Sequence, residues 1–254
     1  MANRDYPLAN FRPYEPSRNP YFEKIIAASQ GPFKHTLLGD ADTEQFRGRW
    51  RERLGLSPEA HLQLELGAYH GETSIQMAKE NPTQGFLGLE WKYKQCYVAA
   101  KKAEDQRLKN AVFLRANMAR LPLVVAPGEL NRVLMLFPDP WSKSVHKKWR
   151  VLRPEFFQKI ASLLKPGSEF LIKTDHQDYA EYIEESWKPC GGFEKIDPAI
   201  INPFWEKLPP TPFEKIFMRQ GRTRDSFFTV SLRRNAQKID LPEEMKQALA
   251  LTNF

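Results

Sequence analysis

The sequence predicts an α/β fold: a largely parallel sheet covered by helices on both faces. Two observations carry this. From residue 61 onward, short apolar runs alternate with stretches of helical length, the pattern of consecutive βαβ units. The run Arg132 to Phe137 is apolar from Val133 on, as a strand buried on both faces is. The 254 residues, 41% hydrophobic, suffice for one large domain with extensions.

Residues 1–42, rich in Pro, Asn and Gly, read as an irregular N-terminal arm. Asp42 or Thr43 is a candidate cap for a short basic helix ending at Gly55. His61 to Leu66 is the first strand. Gly71 to Asn81 is a helix, stopped by Asn81-Pro82. Gly85 to Glu90 is the second strand, Lys92 to Lys109 a long polar helix, and Ala111 to Arg115 the third strand. Arg132 to Phe137 is the fourth. Pro154 to Leu164 places Phe156, Phe157, Ile160 and Leu163 at helical spacing, and Lys165-Pro166-Gly167 ends that helix. Glu169 to Lys173 is the fifth strand and Gln177 to Trp187 a further helix. Phe193 to Ile196 and Ser226 to Leu232 complete seven strands, with 189–224 expected as a loop rich in Pro and Arg. The expected domain spans 43–234, followed by a tail, 235–254, with a short helix after Leu241-Pro242.

No stretch approaches the ~18 apolar residues of a membrane span, and Met1 to Arg12 contains no apolar core of a signal peptide. The only cysteines, Cys96 and Cys190, are far apart and outside any ligand spacing. Neither a disulfide framework nor a metal site is expected, and a reducing cytoplasm fits. The net charge of +7 favours a polyanionic partner. Trp141 to Pro154 concentrates that charge: Lys143, Lys147, Lys148, Arg150 and Arg153, one histidine and no acid. These residues read as phosphate contacts, or more plainly as a solvated loop.

Ligands of doubly wound folds sit beyond the carboxyl ends of the strands. Those ends carry Glu65-Leu66-Gly67, Gly88-Leu89-Glu90, Arg115-Ala116-Asn117 and Phe137-Pro138-Asp139, each with a carboxylate or an amide. The set suits S-adenosylmethionine. Its cationic end favours a carboxylate near the first loop, its ribose diol can donate to Glu90, and Asn117 can meet its adenine. A dinucleotide needs a glycine-rich phosphate cradle, and Tyr69 stands where the middle glycine of such a loop would be. Glu65 also reads as a strand-end ion-pair partner, and Glu90 as a solvent-facing acid. After the fourth strand, two prolines flank Asp139 and fix the backbone on either side of it.

Phe137-Pro138-Asp139-Pro140-Trp141, followed by Lys143, His146, Lys148 and Arg150, resembles the tRNA (guanine-N7)-methyltransferase family, with Trp149 in place of one arginine. The resemblance runs from about 43 to 233 and includes Lys173-Thr174-Asp175 and Thr211-Pro212-Phe213-Glu214. It implies a Rossmann-like class I methyltransferase fold with a final antiparallel strand, S-adenosylmethionine as cofactor and tRNA as partner. It implies cofactor contacts at Glu65, Gly67, Glu90, Asn117 and Asp139, and substrate contacts at Lys143, Asp175, Thr211, Phe213 and Glu214. Asp139 is then the catalytic residue, placing the guanine and stabilising the positive charge that grows on it. The segment 202–224 would close over the base. Tyr69 departs from a glycine of the family, and a homologue that binds tRNA or cofactor without catalysis is one alternative. Another is an amino-methyltransferase of nucleic acid, which carries a second proline after the acid. A monomer or homodimer without metal is expected.

Overall fold

The computed structural model describes residues 19–251, apart from the side chains of 40, 41, 144, 244, 248, 249 and 251. Its elements, in chain order, are α1 (Phe22–Gln30), β1 (Leu37–Gly39), α2 (Trp50–Arg53), β2 (Leu62–Leu66), α3 (Glu72–Glu80), β3 (Gly85–Glu90), α4 (Tyr93–Asp105), β4 (Ala111–Arg115), α5 (Leu121–Val124), β5 (Leu130–Leu136), α6 (Pro154–Leu163), β6 (Leu164–Thr174), α7 (Gln177–Trp187), β7 (Phe193–Lys195), α8 (Pro198–Lys207), α9 (Pro212–Arg219), β8 (Phe228–Arg234) and α10 (Glu243–Leu251). Short 3₁₀ turns link several of them, including Asp40–Phe46 and Ser144–Trp149.

The strands form one sheet in the order β1-β4-β3-β2-β5-β6-β8-β7. Pairing is parallel from β1 through β6, whereas β8 runs antiparallel to both β6 and β7. The chain winds outward from β2 through β3 to β4, then returns to lay β5 on the other side of β2. Strand order therefore reverses between β2 and β5, which makes their carboxyl ends the switch point where such sheets bind ligands.

Alternation along the strands builds the core. Leu62, Leu64, Leu66, Val133 and Met135 face Phe157 and Ile160 of α6 in one cluster. Phe86, Leu134 and Leu171 face Ile201 and Trp205 of α8 in another. Each fully buried side chain of this size contributes about 1.5–3 kcal/mol.

The structure differs from the sequence reading in four places. The expected basic helix from Asp42 or Thr43 to Gly55 is divided into the 3₁₀ turn Asp40–Phe46 and the single helical turn Trp50–Arg53, broken at Gly48 with its left-handed backbone. An eighth strand, β1, pairs with β4 from Leu37↔Phe113 to Gly39↔Arg115. From residue 19 the expected irregular arm is ordered: Ile25 and Ala28 of α1 pack with Leu37, Tyr93, Ala99 and Phe113. The part of that arm before residue 19 lies outside the described residues. Finally, the expected loop 189–224 contains α8 and α9. Pro198 and Pro212 sit in the first turns of these helices, where the missing N–H costs no hydrogen bond. Asp197 and Thr211 cap them with their side chains.

Two local features set the geometry of the sheet's second half. Pairing between β5 and β6 jumps from Leu130↔Leu164 to Arg132↔Glu169, so Pro166 and Gly167 are absorbed in an irregularity and β6 continues. The tail helix α10 sends Met245 into the main core.

Candidate active site

The loop after β2 is bent by three residues with left-handed backbone: Gly67 (φ +75°), Tyr69 (φ +49°) and Gly71 (φ +76°). At Gly71 a Cβ would lie 2.6 Å from the Phe113 ring, so only glycine fits. Gly67 is exposed, and a Cβ there would meet nothing within 4 Å. The N–H groups of Gly67 and Ala68 donate to the Leu89 carbonyl at 2.8 and 3.1 Å. The Tyr69 N–H donates to Oε2 of Glu90 at 2.9 Å, and the Lys92 N–H donates to its Oε1 at 2.7 Å. Burial pushes the Glu90 carboxyl up, and these N–H groups oppose the shift.

Glu65 sits one layer deeper. Its Oε2 accepts the N–H and hydroxyl of Ser74, in the first turn of α3. Burial dominates and raises its pKa to about 7 against those hydrogen bonds. Asn117 caps the next 3₁₀ turn, its Oδ1 accepting the Ala119 N–H at 2.8 Å.

On the other side of the switch point, the turn after β5 has left-handed backbone at Phe137 (φ +52°) and Trp141 (φ +43°). Each such non-glycine residue costs about 1–2 kcal/mol, so the surroundings must hold the turn in place. The Phe137 N–H donates to the Lys173 carbonyl at 2.7 Å. The Pro140 carbonyl accepts Nε of Arg150 at 2.8 Å. Between these two anchors Pro138 is buried and Asp139 is exposed. Beyond them, Trp141 packs edge-on against Trp149 with ring centroids 5.0 Å apart, and His146 stacks on Trp149 at 4.3 Å.

The end of β6 and helix α9 form the third wall. Lys173, at the end of β6, donates to Oε1 of Glu214 at 2.9 Å, with both groups buried. Burial lowers the Lys173 pKa while Glu214 opposes the shift. Thr211 and Glu214 form a reciprocal capping box: the Thr211 N–H donates to Oε2 of Glu214 at 2.8 Å, and the Glu214 N–H donates to the Thr211 hydroxyl at 3.1 Å. Arg222 Nη1 lies 3.9 Å from Asp175 Oδ2, and its guanidinium lies over the rings of Phe217 and Phe227. Phe213, 47% exposed, stands 6.3 Å from Phe137 and 6.2 Å from Tyr69 between ring centroids. An open aromatic wall therefore runs from the first loop to the turn after β5.

A family model described as "Putative methyltransferase" matches residues 59–225. A tRNA (guanine-N7)-methyltransferase of Limosilactobacillus fermentum is 34% identical over 178 residues, covering 70% of this chain and 79% of that protein. The chain belongs to that family. A relative of the same name from Cronobacter sakazakii is 33% identical over 165 residues, covering 64% of this chain and 69% of that protein. A solved 16S rRNA methyltransferase, KamB, has the same fold, with a TM-score of 0.52 at 19% identity, covering 77% of this chain and 94% of that one.

In this methyltransferase the residues expected from sequence fall into three groups. Gly67, Asp139, Lys143, Lys147, Lys148, Arg153 and Phe213 are exposed around the switch point and the turn that follows β5. Glu65, Glu90, Arg150, Thr211 and Glu214 are buried and have partners within the protein. Asn117 and Asp175 are half-buried. Arg150, expected on phosphate, is turned inward and only 2% exposed. The run of cations gave no sign of this, because its burial depends on rings of α7, nearly 30 residues later. Thr211 and Glu214 face each other and Lys173 instead of solvent, and their Thr-x-x-Glu spacing is itself the signal for a capping box. The expected closing segment 202–224 is largely helical, because α8 and α9 occupy it. Sequence reasoning missed Lys173 as the partner of Glu214 and Arg222 as the partner of Asp175.

Proposed function

We propose that this methyltransferase transfers the methyl group of S-adenosylmethionine to N7 of a guanine in tRNA, at the turn Phe137 to Trp141. The observation that carries the reading is a solvent-facing carboxylate, Asp139, on a turn tied down at both ends beside the switch point. The relatives named tRNA (guanine-N7)-methyltransferase supply the substrate class.

The residues around the first loop fit the cofactor. The open space at Gly67 lets a ligand reach the backbone. Glu90 accepts backbone N–H groups on both oxygens, and a carboxylate has about four acceptor sites, which leaves capacity toward a ribose hydroxyl. The cap at Asn117 uses its oxygen, and the amide N–H remains to meet adenine. Glu65 shapes the loop from beneath through Ser74. Bound S-adenosylmethionine supplies an electrophilic methyl group on a sulfonium.

Guanine N7 carries its own lone pair and needs no general base. Methylation leaves the purine cationic. The chain therefore has to supply placement and negative charge. Asp139 provides the charge and accepts from the N–H edge of the base. Phe213, with Tyr69 and Phe137 behind it, offers an aromatic face for a base drawn out of its stack. Lys143, Lys147, Lys148 and Arg153 lie exposed after the turn and suit phosphate.

Tyr69 has a left-handed backbone, the conformation that glycine adopts most readily, so it holds a bend of the kind a glycine would make. That favours catalysis over an inactive homologue. The test is incubation with tRNA and labelled S-adenosylmethionine, then nucleoside analysis by mass spectrometry. Label in 7-methylguanosine is expected, and label in an exocyclic amino group would refute the reading.

A further inference from the structure

Arg150 combines features that no phosphate contact would have. It follows the 3₁₀ turn Ser144–Trp149 and points under the reaction turn. Its guanidinium carbon lies 4.8 Å from the ring centroids of both Tyr179 and Tyr182 on α7, a cation held against two aromatic rings. Nε donates to the Pro140 carbonyl at 2.8 Å, and Nη2 is buried with no hydrogen-bond partner. Among the described residues, no carboxylate lies within ion-pair distance of it.

A buried cation without a counter-charge adds little to stability, because its desolvation offsets what it gains. Removing it leaves the Pro140 carbonyl without that donor, directly beside Asp139 and between two left-handed residues. The turn is held by its two prolines and by hydrogen bonds from the Phe137 N–H to the Lys173 carbonyl and from Arg150 to the Pro140 carbonyl, the latter from a side chain.

We propose that Arg150 is a positioning residue for methyl transfer: it locks the Pro140 carbonyl, and through it the Asp139 carboxylate, and binds no RNA phosphate. A planar guanidinium suits this place. It can lie against two rings while one edge N–H reaches the carbonyl, whereas a lysine ammonium keeps the charge but loses the stacking. The inference rests on methylation of tRNA at this turn, and activity of the wild-type protein tests that separately.

Arg150→Met and Arg150→Lys would be compared with wild type for kcat and KM on tRNA, for tRNA affinity across a salt series, and for Tm. Misplacing a reacting group by about 1 Å costs on the order of a hundredfold. Arg150→Met is therefore expected to lower kcat by about thirty- to a hundredfold, with KM for tRNA within about threefold and the salt slope unchanged. Arg150→Lys is expected to recover part of kcat. A phosphate contact would instead raise KM, reduce the salt slope by about one and spare kcat, and that result would overturn the proposal. Wild-type kcat in both variants would also overturn it. If the methionine variant fails to fold, Arg150→Lys decides: a kcat about three- to tenfold down at unchanged KM supports the proposal, and an unchanged kcat refutes it. A wild-type protein that leaves tRNA unmethylated would refute the function and leave the hydrogen bond to Pro140 as a purely structural feature.

Discussion

On the β3 side of the switch point, Glu65 and Glu90 are buried, and backbone N–H groups of the first loop and of the first turn of α3 point inward to meet them. On the β5 side, Asp139 is exposed and the backbone beneath it is braced. In one half, burial makes a carboxylate an organiser of the loop. In the other, prolines and two hydrogen bonds make the loop an organiser of the carboxylate. The first arrangement suits a cofactor bound through backbone and shape. The second suits a group that must be rigid, charged and reachable by a large substrate.

The largest expected effect tests the second arrangement. Asp139→Ala should lower kcat by about a thousandfold, the scale of a preorganised charge at a reaction centre. Because Asp139 is exposed, Tm should stay within a few degrees. A large fall in Tm would show that the carboxylate organises the turn, and the contrast between the two halves would collapse.

Next is the buried pair behind the turn. Glu214→Gln leaves Lys173 buried without its counter-charge and should cost about 3 kcal/mol of stability in urea unfolding. A cost under about 1 kcal/mol would mean that the third wall stands without that pair.

Glu65 sharpens the first arrangement through pH. Its folded pKa is raised to about 7, above its value in the unfolded chain, about 4.3. The protonated form is therefore favoured by folding. The associated stability is present below the unfolded pKa and is lost as pH rises through about 7. The Gln variant keeps an acceptor for Ser74 and cannot ionise. Glu65→Gln should match wild type near pH 4 and exceed its stability by about 3–4 kcal/mol at pH 8. A constant difference across that range would contradict the assignment.

The smallest effect concerns Tyr69. Tyr69→Gly relieves a left-handed residue, worth about 1 kcal/mol, and removes one ring of the aromatic wall. Cofactor affinity by calorimetry should hold or improve, while KM for tRNA rises by about threefold or less. A large loss of cofactor affinity would make the Tyr69 ring a cofactor contact.

Much of this was legible in the sequence. Apolar runs such as Val133 to Phe137 show where strands lie, and the polar residues that follow them mark the strand ends that meet at the switch point. The direction in which a side chain points was less legible. Arg150 and Lys148 look alike in a run of cations, yet Tyr179 and Tyr182 draw one inward and leave the other exposed. The strand Leu37–Gly39 is too short for an alternating pattern to appear, and it exists because β4 offers an open edge. Helices α8 and α9 begin at prolines, which signal breaks when read alone and first turns when a capping residue precedes them.

The most direct test of the braced carboxylate is chemical mapping of the product. Wild-type protein and Asp139→Asn would each be incubated with tRNA and S-adenosylmethionine, and the RNA then treated with borohydride and aniline, which cleaves at 7-methylguanosine. Cleavage at defined guanines by the wild type, lost in the variant at unchanged Tm, is the predicted result. Methylated tRNA that resists cleavage, or equal cleavage by both proteins, would contradict the account.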